Sequence, residues 1–156
     1  MKILLPAHNK VANKVRSWKE IKSEALEMQR FIAEGKFAGY YDKAYAISHA
    51  QVSDQPKSFF VLNKDKDYGL LKVFKSGVVV NLRILKQYDP VEFKEACMSW
   101  PFRQPTKTER FYDVIVKYEI SFLGFLIPVT KRLKGLPAFI CQHETDHAEG
   151  RNIYNK

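Results

Sequence analysis

The chain has 156 residues, the length of one ordinary domain, and its 46% hydrophobic and 28% charged residues exclude a disordered or fibrous protein. The net charge of +9 is spread along the sequence without a run of five like charges, which is typical of a solvated basic surface and also suits weak attraction to a polyanion such as RNA. No stretch is long and apolar enough to span a membrane, and the N-terminus lacks the apolar core of a signal peptide, so we expect one domain over residues 1–156 in the cytoplasm.

The first predicted element is an amphipathic helix over residues 17–34. Its apolar positions recur in steps of three and four, at Trp18, Ile21, Ala25, Met28 and Ile32. Ser17 and Glu20 have the spacing of a capping box, and Gly35 follows as a stop signal.

The middle of the chain predicts a sheet of short strands, because branched and aromatic residues are concentrated there. Strands are predicted over residues 58–62, 70–74, 78–85 and 113–118, and residues 120–129 are expected to continue the sheet. Charged and glycine-containing segments predict turns at residues 64–67 and 75–77.

The last predicted element is a helix over residues 136–150, with Pro137 in its first turn and Gly150 at its end. Its apolar residues Ala138, Phe139 and Ile140 are expected to face the core. The sequence therefore predicts an α+β fold in which mostly antiparallel strands pack around a C-terminal helix, with a second helix at the N-terminus.

The C-terminal helix contains the pattern H-E-x-x-H at His143, Glu144 and His147. Histidines at i and i+4 lie on one face of a helix and can bind one metal ion together. The carboxylate of Glu144 could then act as a general base on water. The alternative for this pentapeptide is a solvated polar helix face.

The third ligand decides what kind of metal site this is. Zinc proteases of this pattern take it downstream, but only nine residues follow His147, and Glu149 points to a different side of the helix. Cys97 is the upstream candidate, and one thiolate with two imidazoles leaves a fourth position open for water. Cys141 lies off this helix face and is expected in the core.

Two sequence motifs make the chain resemble the peptide deformylase family. Residues 142–147, Gln-His-Glu-Thr-Asp-His, match Q-H-E-x-D-H, and Gly150 supplies the glycine that follows. Residues 95–99, Glu-Ala-Cys-Met-Ser, match E-G-C-L-S with Ala96 in place of glycine and Met98 in place of leucine.

A third motif of that family, G-Φ-G-Φ-A-A-x-Q, is matched loosely by residues 44–51. Ala44 and Ala46 replace both glycines, and Gln51 is retained. The added methyl groups are expected to reshape the cleft and shift substrate preference. The order and spacing of the three motifs agree, so the resemblance covers nearly the whole chain.

The resemblance implies hydrolysis of the formyl group from N-formyl-methionine at the N-terminus of nascent proteins. It implies three metal ligands, which are Cys97, His143 and His147. It further implies that Glu144 is the general acid and base, and that Gln51 and the backbone N–H of Met98 donate hydrogen bonds to the oxyanion.

The same resemblance implies a structural pair between Arg110 and Asp146. It also implies an apolar pocket for the methionine side chain, lined by Tyr45, Leu136, Phe139 and Ile140. Each of these four residues would serve equally well as plain core packing.

The resemblance favours Fe²⁺ as cofactor, whereas the ligand chemistry alone also allows zinc, nickel or cobalt. The chain ends soon after the last motif, as in deformylases carried by bacterial viruses, which makes a phage origin plausible. The expected location is the cytoplasm, and that of the host bacterium if the source is viral. The expected partners are nascent formyl peptides and, weakly, the ribosome. Neither a membrane nor specific DNA is an expected partner.

Two other functions remain open at this point. A metalloprotease would cut internal peptide bonds, but the upstream cysteine argues against it. A basic ribosome- or RNA-binding module without catalysis would have no need for the chemistry of Cys97, Gln51 and Glu144, which are all present.

Overall fold

A computed structural model describes residues 1–4, 10–35, 44–66, 70–100 and 103–154 of the chain. The elements in chain order are helix α1 (Trp18–Glu34), strand β1 (Ala46–Ser48), a 3₁₀ turn (His49–Gln51), β2 (Phe59–Leu62), a second 3₁₀ turn (Lys64–Lys66), α2 (Leu70–Val73), β3 (Val78–Glu95), β4 (Thr106–Phe122), β5 (Phe125–Lys134) and α3 (Leu136–Ala148). No helix in these ranges has the length and apolar character that crossing a membrane requires.

The five strands form one antiparallel sheet in the order β1-β2-β3-β4-β5. Strands β3, β4 and β5 form a long ribbon, which is much longer than the predicted strands at 78–85 and 113–118. Residues 120–129 are the end of β4 and the start of β5. The two strands are joined at Leu123 and Gly124, whose positive φ angles of 49° and 85° suit a two-residue hairpin.

The two faces of the sheet pack on different helices. On one face, Val114, Val116 and Leu133 pack in a buried cluster with Ala138 and Ile140 of α3. On the other face, the residues that pack together are Ile21, Ala25 and Met28 of α1 with Val61, Val78 and Val80 of the sheet. This arrangement confirms the predicted α+β fold.

Helix α1 confirms the prediction over residues 17–34, and Gly35 ends it in the left-handed conformation with a φ of 61°. The predicted capping box is wrong. The Ser17 side chain makes no capping hydrogen bond, and the carboxylate of Glu20 instead accepts the backbone N–H of Arg16 at 3.0 Å.

The strand predicted over residues 70–74 is also wrong, because α2 forms there. The Phe74 N–H donates to the Leu70 carbonyl at 2.8 Å, and both side chains are buried in the cluster beneath α3. Residues four apart lie on one side of a helical turn, so this turn buries both side chains at once. The turn predicted at 75–77 is confirmed, with Gly77 at a φ of 67°. Residues 64–66 of the other predicted turn form a 3₁₀ turn, and residue 67 lies outside the described residues.

Candidate active site

Helix α3 and the turn after β3 bring one thiol and two imidazoles together. The Cys97 Sγ lies 3.2 Å from the Nε2 of His147, which lies 3.1 Å from the Nε2 of His143. The three ligand atoms all lie within 4.8 Å of one another. Metal–ligand distances of about 2.0–2.3 Å would let one ion contact all three.

The start of α3 and the hydrogen bonds of one side chain on it fix the direction in which its histidines point. Gly135, at a φ of 65°, turns the chain out of β5, and Pro137 lies in the first turn of the helix. The Gln142 side chain then binds the backbone of Phe111 in β4, donating to its carbonyl at 2.8 Å and accepting its N–H at 2.9 Å. No role for Gln142 was predicted beyond its place in the motif, and its amide holds α3 against β4.

The electrostatics of the cluster favour the thiolate form of Cys97, which is the form that binds a metal. Burial opposes a charged thiolate, but the charge of His147 and hydrogen bonds from both histidines outweigh burial and hold the pKa of Cys97 well below its ordinary value. A thiolate and two imidazoles are donors suited to a transition-metal ion. The residues present therefore fit the metal that the sequence implies.

Glu95 orients the first histidine. Its Oε2 lies 3.3 Å from the Nδ1 of His143, and its Oε1 accepts the Nε–H of Arg110 at 3.0 Å. Burial opposes the charge of Glu95, but His143 and Arg110 outweigh burial and lower its pKa to about 2. Because a carboxylate only accepts, the Nδ1 of His143 carries a hydrogen, and in the neutral imidazole the Nε2 would then supply the lone pair for a metal. The sequence assigned no role to Glu95, although it lies within the motif that contains Cys97.

Arg110 and Asp146 lie in direct contact, as the resemblance implies. The Nη1 of Arg110 donates to Asp146 Oδ2 at 2.7 Å, and the Nη2 of Arg151 donates to Oδ1 at 3.1 Å. Arg110 is buried and also binds Glu95, so it connects β3 and β4 to the ligand-bearing helix.

We expect Asp146→Asn to lower the free energy of unfolding by about 1.5–3 kcal/mol, because the buried Arg110 loses one of the two carboxylates that compensate its charge. Urea unfolding followed by circular dichroism measures the change. Glu149→Gln is the control, since it removes a surface carboxylate from its pair with Arg151 and should cost about 1 kcal/mol or less. Equal losses in the two variants would contradict the structural role of the buried pair.

Two polar side chains complete the site. Glu144 is buried, which raises its pKa, and its Oε2 has no hydrogen-bond partner among the described residues. Gln51 is held by its Oε1, which accepts the Ser48 N–H at 2.9 Å. The Nε2 of Gln51 consequently faces the Ser99 hydroxyl at 3.1 Å and the Cys97 Sγ at 3.7 Å.

An apolar cavity of about 220 Å³ opens beside these groups. The predicted pocket residues Tyr45, Leu136, Phe139 and Ile140 all line it, together with Gln51, Met98, His143 and Glu144. Phe93 also lines it and stacks on Phe139 with ring centroids 4.3 Å apart, a contact between distant segments that the sequence did not indicate.

Three alanines also line the cavity, at positions where the matched motifs have glycine. They are Ala44, Ala46 and Ala96. Their methyl groups therefore lie where a bound substrate would approach the backbone.

Two other candidate groups lie outside the cluster. Cys141 is fully buried, and burial raises its pKa, so it is a core thiol. His49 stacks on Phe59 at 4.8 Å, and its Nδ1 accepts the Lys57 N–H at 2.9 Å, so it serves to hold the loop after β1.

A sequence profile of the family described as polypeptide deformylase matches residues 2–156. A peptide deformylase of Aquifex aeolicus is 36% identical over 73 residues, which span 47% of this chain and 41% of that relative's length. The crystal structure of the enzyme from Vibrio parahaemolyticus bacteriophage VP16T, in complex with actinonin, is similar with a TM-score of 0.74 and 26% identity, covering 98% of this chain and 100% of that one. The Thermotoga maritima peptide deformylase has the same fold, with a TM-score of 0.75 and 24% identity over 99% of this chain and 95% of that one.

Proposed function

The chain belongs to the polypeptide deformylase family, and from that premise we propose that it hydrolyses the formyl group from N-formyl-methionine at the start of nascent proteins. The observation that supports this most directly is the buried cluster of Cys97, His143 and His147, which lies next to Glu144 and an apolar cavity. Residues 1–156 would act as one catalytic domain, in the bacterial cytoplasm where formylated chains are made.

The metal would be held by the Cys97 thiolate and the Nε2 atoms of His143 and His147. A divalent ion in this position supplies a Lewis acid and makes hydroxide available near neutral pH. Glu95 supports this donor set by fixing the tautomer of His143.

Glu144 is the proton carrier in this mechanism. It takes a proton from the attacking water and gives it to the amine that leaves, so that formate and a free N-terminus result. Burial raises the pKa of Glu144 towards the range in which a carboxyl group both accepts and returns a proton.

Two hydrogen-bond donors would stabilise the negative charge that develops on the formyl oxygen. These are the Nε2 of Gln51, which is already held facing the cluster, and the backbone N–H of Met98, whose residue lines the cavity. A fixed donor of this kind is worth about 10²–10³-fold in kcat.

Substrate selectivity tests the activity itself. We expect rapid formate release from formyl-Met-Ala-Ser, and much slower loss of the acetyl group from acetyl-Met-Ala-Ser and much slower cleavage of an internal peptide bond. Formate is measured with formate dehydrogenase, and deacetylation and peptide cleavage by mass spectrometry. Cleavage of the internal bond without formate release would support the metalloprotease instead, and no turnover of any substrate would overturn the proposal.

Phe139→Ala tests the methionine pocket. Phe139 lines the cavity and stacks on Phe93, so we expect KM for formyl-Met peptides to rise at least about tenfold while kcat changes less. Steady-state kinetics and thermal unfolding are measured on the same preparations. Unchanged kinetic constants in a destabilised protein would make Phe139 a core residue only.

We propose Fe²⁺ as the native metal. Iron beside a thiolate with an open coordination position is open to oxidation at both the metal and the sulfur. Formyl-Met peptide hydrolysis by the iron-loaded enzyme should therefore decay in air, while nickel-, cobalt- or zinc-loaded enzyme keeps its initial activity. The time course is run with and without oxygen. Oxygen-insensitive rates for all samples would contradict the assignment of iron, although the hydrolytic role would stand.

A further inference from the structure

The outward face of the β3–β5 ribbon is only partly covered. Val114, Val116 and Leu133 pack towards α3, so the residues next to them in β4 and β5 point to the opposite side of the sheet, and the β3 residues paired with those neighbours lie on that side too. Helix α1 covers that opposite side where Val78 and Val80 of β3 and Leu126 of β5 pack against it. Beyond those residues, most side chains on this side of the ribbon are exposed in the part of the chain that the structure describes.

Three rows of directly paired residues cross this exposed part of the ribbon. The rows are Arg83–Lys117–Thr130, Lys86–Ile115–Arg132 and Tyr88–Asp113–Lys134. These nine residues, called here the basic face, include five cations and one carboxylate. All five cations are exposed.

The cations of the basic face differ in how they are compensated. Arg132 and Lys134 lie 2.7 Å and 3.3 Å from Asp113. The side chains of Arg83, Lys86 and Lys117 make no ion pair or hydrogen bond with any residue in the described part of the chain.

Like charges directly opposite one another on neighbouring strands are destabilising, and Arg83 lies opposite Lys117. Another cross-strand pair of cations, Lys94 and Lys107, is relieved by Glu92, which lies 2.6 Å from Lys107. The folded chain gains no stability from leaving Arg83 and Lys117 uncompensated. An external polyanion would relieve their repulsion.

We propose that the basic face binds the phosphate backbone of RNA. The inference rests on the proposed function in one respect, since nascent formylated chains occur on ribosomes. Adjacent rows on one side of a strand are about 7 Å apart, so the face presents cations at several points along a bound strand. Each phosphate contact releases counterions and strengthens binding at low salt.

An anionic membrane suits the basic face less well, because surface binding to lipid needs apolar side chains that project beside the cations. Ile115, the one aliphatic residue among the nine, is half-buried, and Arg132 lies over the Tyr88 ring at 5.6 Å. The exposed Leu85 next to Lys86 is a single aliphatic side chain, which is too little apolar surface to insert into lipid. The exposed Phe122 at the ribbon's end lies about 17 Å along β4 from Lys117, at 3.4 Å per residue.

Docking on this face would leave the cavity accessible. The cavity is lined by α3, by the segment around β1 and by the end of β3, and none of the nine residues of the basic face lines it. RNA and a formyl peptide could therefore be bound at the same time.

The test compares two triple variants that remove the same charge. The face triple is Arg83→Gln, Lys86→Gln and Lys117→Gln. The control triple, on the exposed side of α1, is Lys19→Gln, Lys22→Gln and Arg30→Gln. Binding of a fluorescein-labelled oligouridylate is measured by anisotropy from about 50 to 200 mM KCl, where three lost phosphate contacts reduce the slope of log K against log salt by about 2.

We expect the face triple to show that loss of slope and weaker binding at low salt, and the control triple to stay close to wild type. Equal weakening in both triples would mean that net charge alone acts, and no effect in either would also overturn the proposal. Binding to vesicles containing phosphatidylserine, without binding to the oligouridylate, would favour a membrane instead.

Hydrolysis of formyl-Met-Ala-Ser separates this inference from the proposed function. Neither triple touches the cavity, so both should keep wild-type kcat and KM. Normal hydrolysis with no difference between the triples in RNA binding would overturn the basic face alone. If the face triple loses RNA binding and even the wild-type protein hydrolyses no formyl peptide, the enzymatic proposal alone would be overturned.

Discussion

Glu144→Gln is expected to lower kcat by about 10²–10⁴-fold while the protein keeps its bound metal. Glutamine has the shape of glutamate but cannot take a proton from water and return it to the leaving amine. Because Glu144 lies beside the three proposed ligands and is not one of them, metal binding should survive the change. The buried Oε2 of Glu144, without a partner among the described residues, is the atom whose basicity is removed.

Metal content by elemental analysis and kcat on formyl-Met-Ala-Ser are measured on the same samples. Glu149→Gln is the matched control, because Glu149 is an exposed carboxylate at the end of the same helix, and it should leave both quantities unchanged. Loss of metal in Glu144→Gln would make Glu144 a ligand or a structural residue, and an unchanged kcat would exclude it as the proton carrier.

Local patterns in the sequence were sufficient to predict the two long helices and to place two histidines on one face of the second. The three- and four-residue steps of α1 and the spacing of His143 and His147 on α3 are properties of a helix alone, so no tertiary contact was needed to predict them. The cysteine-containing motif similarly identified Cys97 as the upstream partner of the two histidines.

The wrong and missing predictions concern residues whose structure is decided by contacts with segments distant in sequence. Residues 70–74 are a short apolar run that suits either a strand or a helical turn, and only the burial of both Leu70 and Phe74 selects the helix. The roles of Glu95 and Phe93 were missed for the same reason. Glu95 contacts Arg110 because β3 pairs with β4, and Phe93 stacks on Phe139 because α3 packs on the sheet, and both partners lie far along the chain.

Cys97→Ser is expected to weaken metal binding at least about 100-fold. Changing a residue that only hydrogen-bonds a metal ligand weakens metal binding by up to about 100-fold, and the loss of a ligand itself should cost no less. The thiolate is the donor that matters, because serine does not ionise near neutral pH and its oxygen is a harder donor than sulfur. The low pKa of Cys97, caused by the two histidines against the opposing effect of burial, means that the thiolate is available before the ion arrives.

The metal affinity of Cys97→Ser is measured by competition with a chelator of known affinity, and activity is measured at saturating metal. Cys141→Ser is the control, since Cys141 is as buried as Cys97 but lies on the core-facing side of α3 and outside the ligand cluster. The control should be destabilised by a buried hydroxyl while keeping its metal, whereas Cys97→Ser should lose metal at comparable stability. If Cys97→Ser instead binds metal as tightly as the wild-type protein and stays fully active, a different group is the third ligand, and the convergence of Cys97, His143 and His147 within 4.8 Å is a structural contact only.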